Sequence, residues 1–123
     1  MREIKWNYHS PKFECDTYNL EMMKYSPWSG HRLFAYDYIC NMKPDRIVEL
    51  GSYYGCSAFS FLQALKDNNM QSSFWAVDTW EGDSFTENDY TENIYQAYRE
   101  IQNKCFEKQN AHMLRMTFDE AYE

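Results

Sequence analysis

Two carboxylates and two glycines are spaced as in sites that bind a cofactor at the end of a parallel sheet. Glu49 lies near the end of one apolar run, Gly51 and Gly55 follow it, and Asp78 ends a second apolar run. A carboxylate has acceptors on both oxygens, which suits the two hydroxyls of a ribose or a cationic amino group. Glycines between a strand and a helix let the backbone approach a ligand closely. The pattern therefore predicts a site for a nucleoside-bearing cofactor.

The elements that must position these residues alternate between helix and strand. Apolar residues recur at helical spacing in three segments, and shorter β-rich runs lie between them. Right-handed crossovers would make the three strands neighbours in one parallel sheet, as in half of a doubly wound α/β domain. Ile47 and Val48 form an uninterrupted apolar centre, which predicts that the first strand is covered on both faces. In chain order, the predicted elements are helix 31–42, strand 46–50, a helix that starts at 55 or 56 and ends at 67, strand 73–78, helix 88–108 and strand 112–117.

The start of the chain shows no clean hydrophobic period. We predict an irregular or weakly helical lead-in over residues 1–30 and assign the domain to residues 31–123. A sheet of three strands leaves an unpaired edge, which proteins normally pair or cover.

Composition and charge restrict the classes of function. The chain has 123 residues and a net charge of −7, which is unfavourable for a surface that binds nucleic acid. The four cysteines are far apart and form no C-x-x-C pair, so we expect reduced thiols and no metal site. The N-terminus lacks a signal peptide, and no apolar run is long enough to span a bilayer. These features predict a soluble, cytoplasmic protein without a nucleic-acid or membrane partner.

The glycine turn narrows the choice of cofactor. A dinucleotide turn needs G-x-G-x-x-G, but Tyr53 occupies the middle position and Cys56 follows Gly55. The turn contains no lysine, so a phosphate-binding loop of the Walker A type is not supported either. A ligand with a ribose, an amino group and a carboxylate fits better, since Glu49 can attract the amino group and Asp78 can accept both ribose hydroxyls. These are the requirements of S-adenosylmethionine.

Four short stretches carry a resemblance to a known family. Residues 48–55 (VELGSYYG) resemble the first motif of the class I S-adenosylmethionine-dependent methyltransferases, and residues 76–83 (AVDTWEGD) resemble their acidic motif after strand two. Residues 27–32 (PWSGHR) and 117–121 (TFDEA) add two further stretches. The order of all four along the chain is similar to that in a bacterial branch of this superfamily, which is often found alongside glycan-building enzymes. The resemblance covers about residues 26–121 and corresponds to the amino-terminal portion of such an enzyme.

The resemblance implies a Rossmann-like fold, S-adenosylmethionine as cofactor, and methyl transfer to a hydroxyl of a sugar or another small acceptor. It leaves the catalytic base unassigned, and it makes His31 and Asp83 candidates for contact with the acceptor. The residues assigned to the cofactor are Glu49, Gly51, Ser52, Tyr53, Gly55, Asp78, Thr79, Trp80, Phe118 and Asp119.

Other interpretations stay open at this point. The chain could be a catalytically silent assembly module that binds a partner chain or a second copy of itself through the unpaired sheet edge. An NAD-binding domain is disfavoured by the missing third glycine. Single residues also have structural alternatives: Glu49 as a helix cap, Asp78 as a turn carboxylate, and Trp80 as a lid over the core.

Overall fold

The computed structural model describes residues 5–25, 28–80 and 91–122. Its elements are α1 (Asp16–Tyr25), a short 3-10 helix (Ser29–His31), α2 (Arg32–Met42), β1 (Arg46–Leu50), α3 (Cys56–Asp67), β2 (Ser73–Asp78), α4 (Thr91–Cys105), β3 (Ala111–Arg115) and α5 (Phe118–Tyr122). The three strands form one parallel sheet in the order β1-β2-β3. The predicted α/β, Rossmann-like architecture is therefore confirmed.

Most predicted element bounds agree with the structure: β1 and β2 agree to the residue at both ends, and α3 begins at Cys56, the second of the two starts that we predicted. β3 ends at Arg115 rather than at 117, and the next N–H, of Met116, is shared between the Asp78 carbonyl at 3.1 Å and the Leu114 carbonyl at 3.0 Å. α4 ends at Cys105 rather than at 108, and its predicted start lies outside the described residues. Within the described part of the chain, no helix is both long and apolar enough to cross a bilayer.

The lead-in contains a regular helix, α1, where we predicted an irregular or weakly helical segment. Cys15 and Met23 are buried in the core, and the guanidinium of Arg32 donates to the Asp16 carboxylate at 2.7 Å. Tertiary contacts therefore hold α1, whereas its own apolar residues do not fall on one clear face. The boundary at residue 30 stays a prediction, although the core already includes residues that precede it.

The two faces of the sheet have different surroundings. Phe74 and Ala76 of β2 are fully buried, and they share their face with Ile47 of β1 by register. On the opposite face, Val48 is 61% and Leu50 is 58% exposed, because side chains alternate along a strand. The prediction that β1 is covered on both faces is therefore wrong for the described residues.

The register of the sheet positions the candidate site. Leu50, the last residue of β1, pairs with Val77, the residue before the last in β2. The Gly51 N–H then donates to the Val77 carbonyl at 2.8 Å. The glycine turn after β1 consequently lies beside Asp78, at the carboxyl edge of the sheet where ligands bind in open α/β folds.

Candidate functional site

The turn between β1 and α3 is built on three residues with positive φ. Gly51 has φ +85°, Tyr53 has φ +50° and Gly55 has φ +93°. A Cβ on Gly55 would lie 2.4 Å from the Phe59 ring, so this glycine is required by backbone conformation and by core packing. A Cβ on Gly51 would meet only Phe118, at 4.0 Å. Of the two predicted glycines, Gly51 is therefore required by its backbone conformation alone, while Gly55 is required by the packing of the helix against the core as well.

Glu49 is held beneath this turn in a poorly solvated position. Its Oε2 accepts a hydrogen bond from the Ser57 hydroxyl at the start of α3. Its Oε1 and the Ser52 hydroxyl are both enclosed and form no well-aligned hydrogen bond with a described residue. Burial raises the pKa of the Glu49 carboxyl above its ordinary value, and the nearby hydroxyls of Ser57 and Ser52 partly oppose this shift. The base of the turn therefore holds two enclosed polar atoms whose hydrogen bonding is incomplete.

Asp78 joins the glycine turn to the loop that follows β2. Its Oδ2 accepts the Tyr53 N–H at 3.0 Å, and its Oδ1 accepts the Trp80 N–H at 3.0 Å. The structure therefore gives Asp78 the turn-stabilising role that we considered as an alternative. Each carboxylate oxygen keeps a second acceptor direction, so ribose binding by the same group stays a prediction.

Trp80 packs into the core rather than standing in the open. Only 2% of the residue is exposed, and its indole N–H donates to the Tyr53 carbonyl at 2.8 Å. The indole also contacts the rings of Tyr95 and Tyr98, with centroids 5.3 Å away in each case. This is the lid position that we gave as its structural alternative, and a contact with adenine stays a prediction.

The segment after β3 returns to the site through α5. Thr117 caps this helix, since its hydroxyl accepts the Glu120 N–H at 3.2 Å and the Glu120 carboxylate accepts the Thr117 N–H at 3.1 Å. These hydrogen bonds lower the pKa of Glu120. The Thr-x-x-Glu spacing is a capping-box signal that would have predicted α5 from the sequence. The cap places Phe118 beside Gly51, as expected for a site residue, and leaves Asp119 exposed.

A cavity of about 190 Å³ opens at the glycine turn. Of the predicted site residues, Gly51, Ser52 and Tyr53 line it, whereas Asp78 and Trp80 do not, and their roles in cofactor binding stay predictions. Trp28 also lines it and was not among the predicted site residues. The full lining is Trp28, Gly51, Ser52, Tyr53, Tyr54, Cys56 and Ser57.

The remaining predicted residues have different outcomes. His31 is exposed, and its ring contacts the Trp28 indole edge-on, with centroids 5.2 Å apart. The Thr79 carbonyl accepts a hydrogen bond from Arg115 at 3.4 Å. Asp83 lies outside the described residues. Within those that are described, no three His, Cys, Asp or Glu side chains are grouped so that they could hold a metal ion.

Comparisons with known proteins bear on the same segment. The model of a family described as "Methyltransferase domain" matches residues 48–123, which include both glycines, both carboxylates and the α5 segment. An uncharacterized protein of Sinorhizobium fredii, y4gI, is 37% identical over 97 residues, which is 79% of this chain and 10% of that protein. The chain thus spans about a tenth of the length of this curated relative. No solved structure matches the chain significantly.

Proposed function

Since the chain belongs to the methyltransferase-domain family, we propose that it provides the cofactor-binding half of an S-adenosylmethionine-dependent methyltransferase. One observation carries this proposal beyond the family membership. Glu49 Oε1 and the Ser52 hydroxyl are enclosed at the base of the glycine turn, and neither forms a well-aligned hydrogen bond with a described residue. Buried polar atoms in native proteins are nearly always satisfied, so such a pair is typical of a site that is completed by a ligand.

Different residues of this chain bind different parts of the cofactor. Glu49 and Ser52 accept the N–H groups of its ammonium, which is the donor that the enclosed oxygens lack. Asp78 accepts the ribose hydroxyls on the directions left free by its two backbone bonds. Gly51 lets the backbone of the turn approach the ligand without a side chain, and Phe118 lies beside this glycine. Tyr53, Thr79, Trp80 and Asp119 complete the surroundings, with Gly55 in a supporting role.

The bound cofactor would supply a methyl group activated by a positively charged sulfur. We place the acceptor, a sugar or another small hydroxylated molecule, on the open side of the turn. His31 and Asp83 stay the candidate contacts, and Asp83 lies outside the described residues. A base must also take the acceptor's proton, and no residue of this chain is assigned to that task. Four cysteines form no disulfide within the described residues, which supports our placement of the protein in the reducing cytoplasm: Cys15, Cys40, Cys56 and Cys105.

Calorimetric titration with S-adenosylhomocysteine tests the cofactor site. We expect saturable binding by the wild-type chain, and a loss of affinity of about ten-fold or more in Ser52→Ala and in Asp78→Asn. Ser52→Ala is the cleaner variant, because its hydroxyl forms no well-aligned hydrogen bond with a described residue, whereas Asp78 accepts two backbone N–H groups. The exposed Glu107 offers a control, Glu107→Gln, which should bind normally. A folded wild-type chain that binds neither S-adenosylhomocysteine nor S-adenosylmethionine would contradict the proposal.

A second candidate function has support from the exposed sheet face. Val48 and Leu50 are more than half exposed, and β1 forms an edge of the sheet that the described residues build. We propose as the alternative that this edge completes a sheet with a partner chain or a second copy, without catalysis. Sedimentation should then show an oligomer that Val48→Lys dissociates. A monomer that transfers methyl groups would exclude this alternative.

A further inference from the structure

We propose that Trp28 is a specificity-determining residue of this site, and that its indole face contacts the positively charged sulfonium of the cofactor. The inference rests on the proposed function, because it concerns a residue that binds the same cofactor. It adds to that function a means by which the chain distinguishes the methyl donor from the demethylated product.

Trp28 stands at the wall of the cavity that opens at the glycine turn. It lines that cavity together with Gly51 and Ser52, and it also lines an apolar groove of about 440 Å³ between α2 and β1. The rings of His31 and Phe61 contact it edge-on, with centroids at 5.2 Å and 6.5 Å. These contacts fix the indole from two sides, while 38% of the residue stays exposed.

The electrostatic surroundings of the cavity favour a cation. The carboxyl of Glu49 lies beneath its base and the carboxylate of Asp78 binds the backbone of its Tyr53. No lysine or arginine is among the residues that line it. Tyr53 adds a second aromatic side chain, 44% exposed, to that of Trp28. Carboxyl groups and π faces both stabilise positive charge, so the described wall matches a ligand that carries one.

The two positive groups of S-adenosylmethionine need different partners. Its ammonium donates N–H hydrogen bonds, which suits the unpartnered oxygens of Glu49 and Ser52. Its sulfonium has no N–H or O–H to donate, so it is best stabilised by an aromatic face. Trp28 offers such a face at the same cavity, and tryptophan is the strongest of the cation–π partners.

This contact changes during the reaction. Methyl transfer would break the sulfur–methyl bond, whose electron pair stays on sulfur, while the acceptor oxygen forms the new bond to the methyl group and releases its proton to solvent water. The sulfur is then an uncharged thioether and loses its attraction to the indole. Trp28 should therefore favour the methyl donor over S-adenosylhomocysteine by roughly 2- to 30-fold, the range typical of cation–π contacts.

Titration of both ligands into Trp28→Leu and Trp28→Phe tests the inference. In Trp28→Leu, affinity for S-adenosylmethionine should fall by roughly 2- to 30-fold, while affinity for S-adenosylhomocysteine should change much less. Trp28→Phe should give an intermediate ratio, and it preserves an aromatic side chain if the leucine variant fails to fold. Trp75→Leu is the matched control, since Trp75 does not line the cavity and its ring stacks on that of His112, with the two centroids 4.0 Å apart.

The outcomes separate this inference from the proposed function. An equal loss of affinity for the two ligands in both variants would overturn the sulfonium contact and leave the cofactor site in place. A wild-type chain that binds both ligands equally, with a ratio that no Trp28 variant changes, would overturn it as well. Wild-type protein that binds neither ligand would overturn the proposed function and this inference together.

Discussion

Replacement of Glu49 by glutamine should stabilise the ligand-free protein while it weakens cofactor binding. The carboxyl has one accepted hydrogen bond, from Ser57, and an enclosed Oε1 without a described partner. A buried polar group left unsatisfied costs about 1–3 kcal/mol, and more when it is charged. Glutamine has nearly the same size, keeps an acceptor for Ser57 and carries no charge. Its amide can also donate toward the Ser52 hydroxyl, so we expect Glu49→Gln to be about 1–3 kcal/mol more stable at neutral pH.

The stability difference between Glu49→Gln and wild type should change with pH in a defined direction. Burial raises the pKa of Glu49 in the folded state above its ordinary value of 4.5, which it has when the chain unfolds. Between these two values the native state binds more protons than the unfolded state, so the free energy of unfolding falls as pH rises. Glutamine does not titrate and removes this contribution. The advantage of Glu49→Gln should thus grow with pH from 4.5 upward and level off above the raised pKa.

Thermal unfolding followed by circular dichroism at several pH values measures the effect. A gain of 1–3 kcal/mol corresponds to a rise in Tm of roughly 4–12 °C for a domain of this size. Glu107→Gln, a substitution at an exposed position, serves as the control and should change neither Tm nor its pH dependence. A lower Tm in Glu49→Gln, or a difference from wild type that stays constant with pH, would refute the reasoning about the buried carboxyl.

Three further substitutions test the packing around the site. Gly55→Ala should lose about 1–3 kcal/mol or more, because φ is +93° and the added Cβ would lie 2.4 Å from Phe59, whereas Gly51→Ala should lose less since Phe118 is 4.0 Å away. Urea unfolding ranks the two variants, and the opposite order would contradict the assignment of Gly55 to the core. Tyr98→Phe removes a buried hydroxyl that bonds to no described residue, so stability should stay within about 1 kcal/mol of wild type or rise. A clear loss in the same urea assay would indicate a partner for this hydroxyl.

The sequence predicted those elements whose signals are local. Strand β1 lies between the breaker Pro44 and Gly51, and its apolar centre is short, so its bounds could be assigned closely. Helix α1 has no such signal, since its place depends on Arg32 and on core residues distant in sequence. The exposure of Val48 was also beyond prediction, because an apolar run shows that a strand is buried without showing on how many faces.

In the candidate site, too, features with a local sequence signal were predicted and features that depend on tertiary contacts were not. The carboxylates and the glycine turn were identifiable, because their residue types and spacing follow from the chemistry of the ligand. The two hydrogen bonds that Asp78 accepts from backbone N–H groups, and the burial of Trp80, were foreseen only as structural alternatives to ligand binding. Both depend on how the turn after β1 meets the residues after β2. Trp28 was missed because it reaches the cavity from the segment before α2, far from the turn in sequence.

The two hydrogen bonds of Asp78 have a consequence for how binding begins. Tyr53 and Trp80 both have positive φ, +50° and +55°, a conformation that costs a non-glycine residue about 1–2 kcal/mol. Both donate their N–H to this one carboxylate, which therefore holds two unfavourable backbone conformations at once. The turn after β1 and the first two residues after β2 are thus held in place in the ligand-free protein. Affinity gained in this way comes from preorganisation, since the entropy lost in shaping the site belongs to folding rather than to binding.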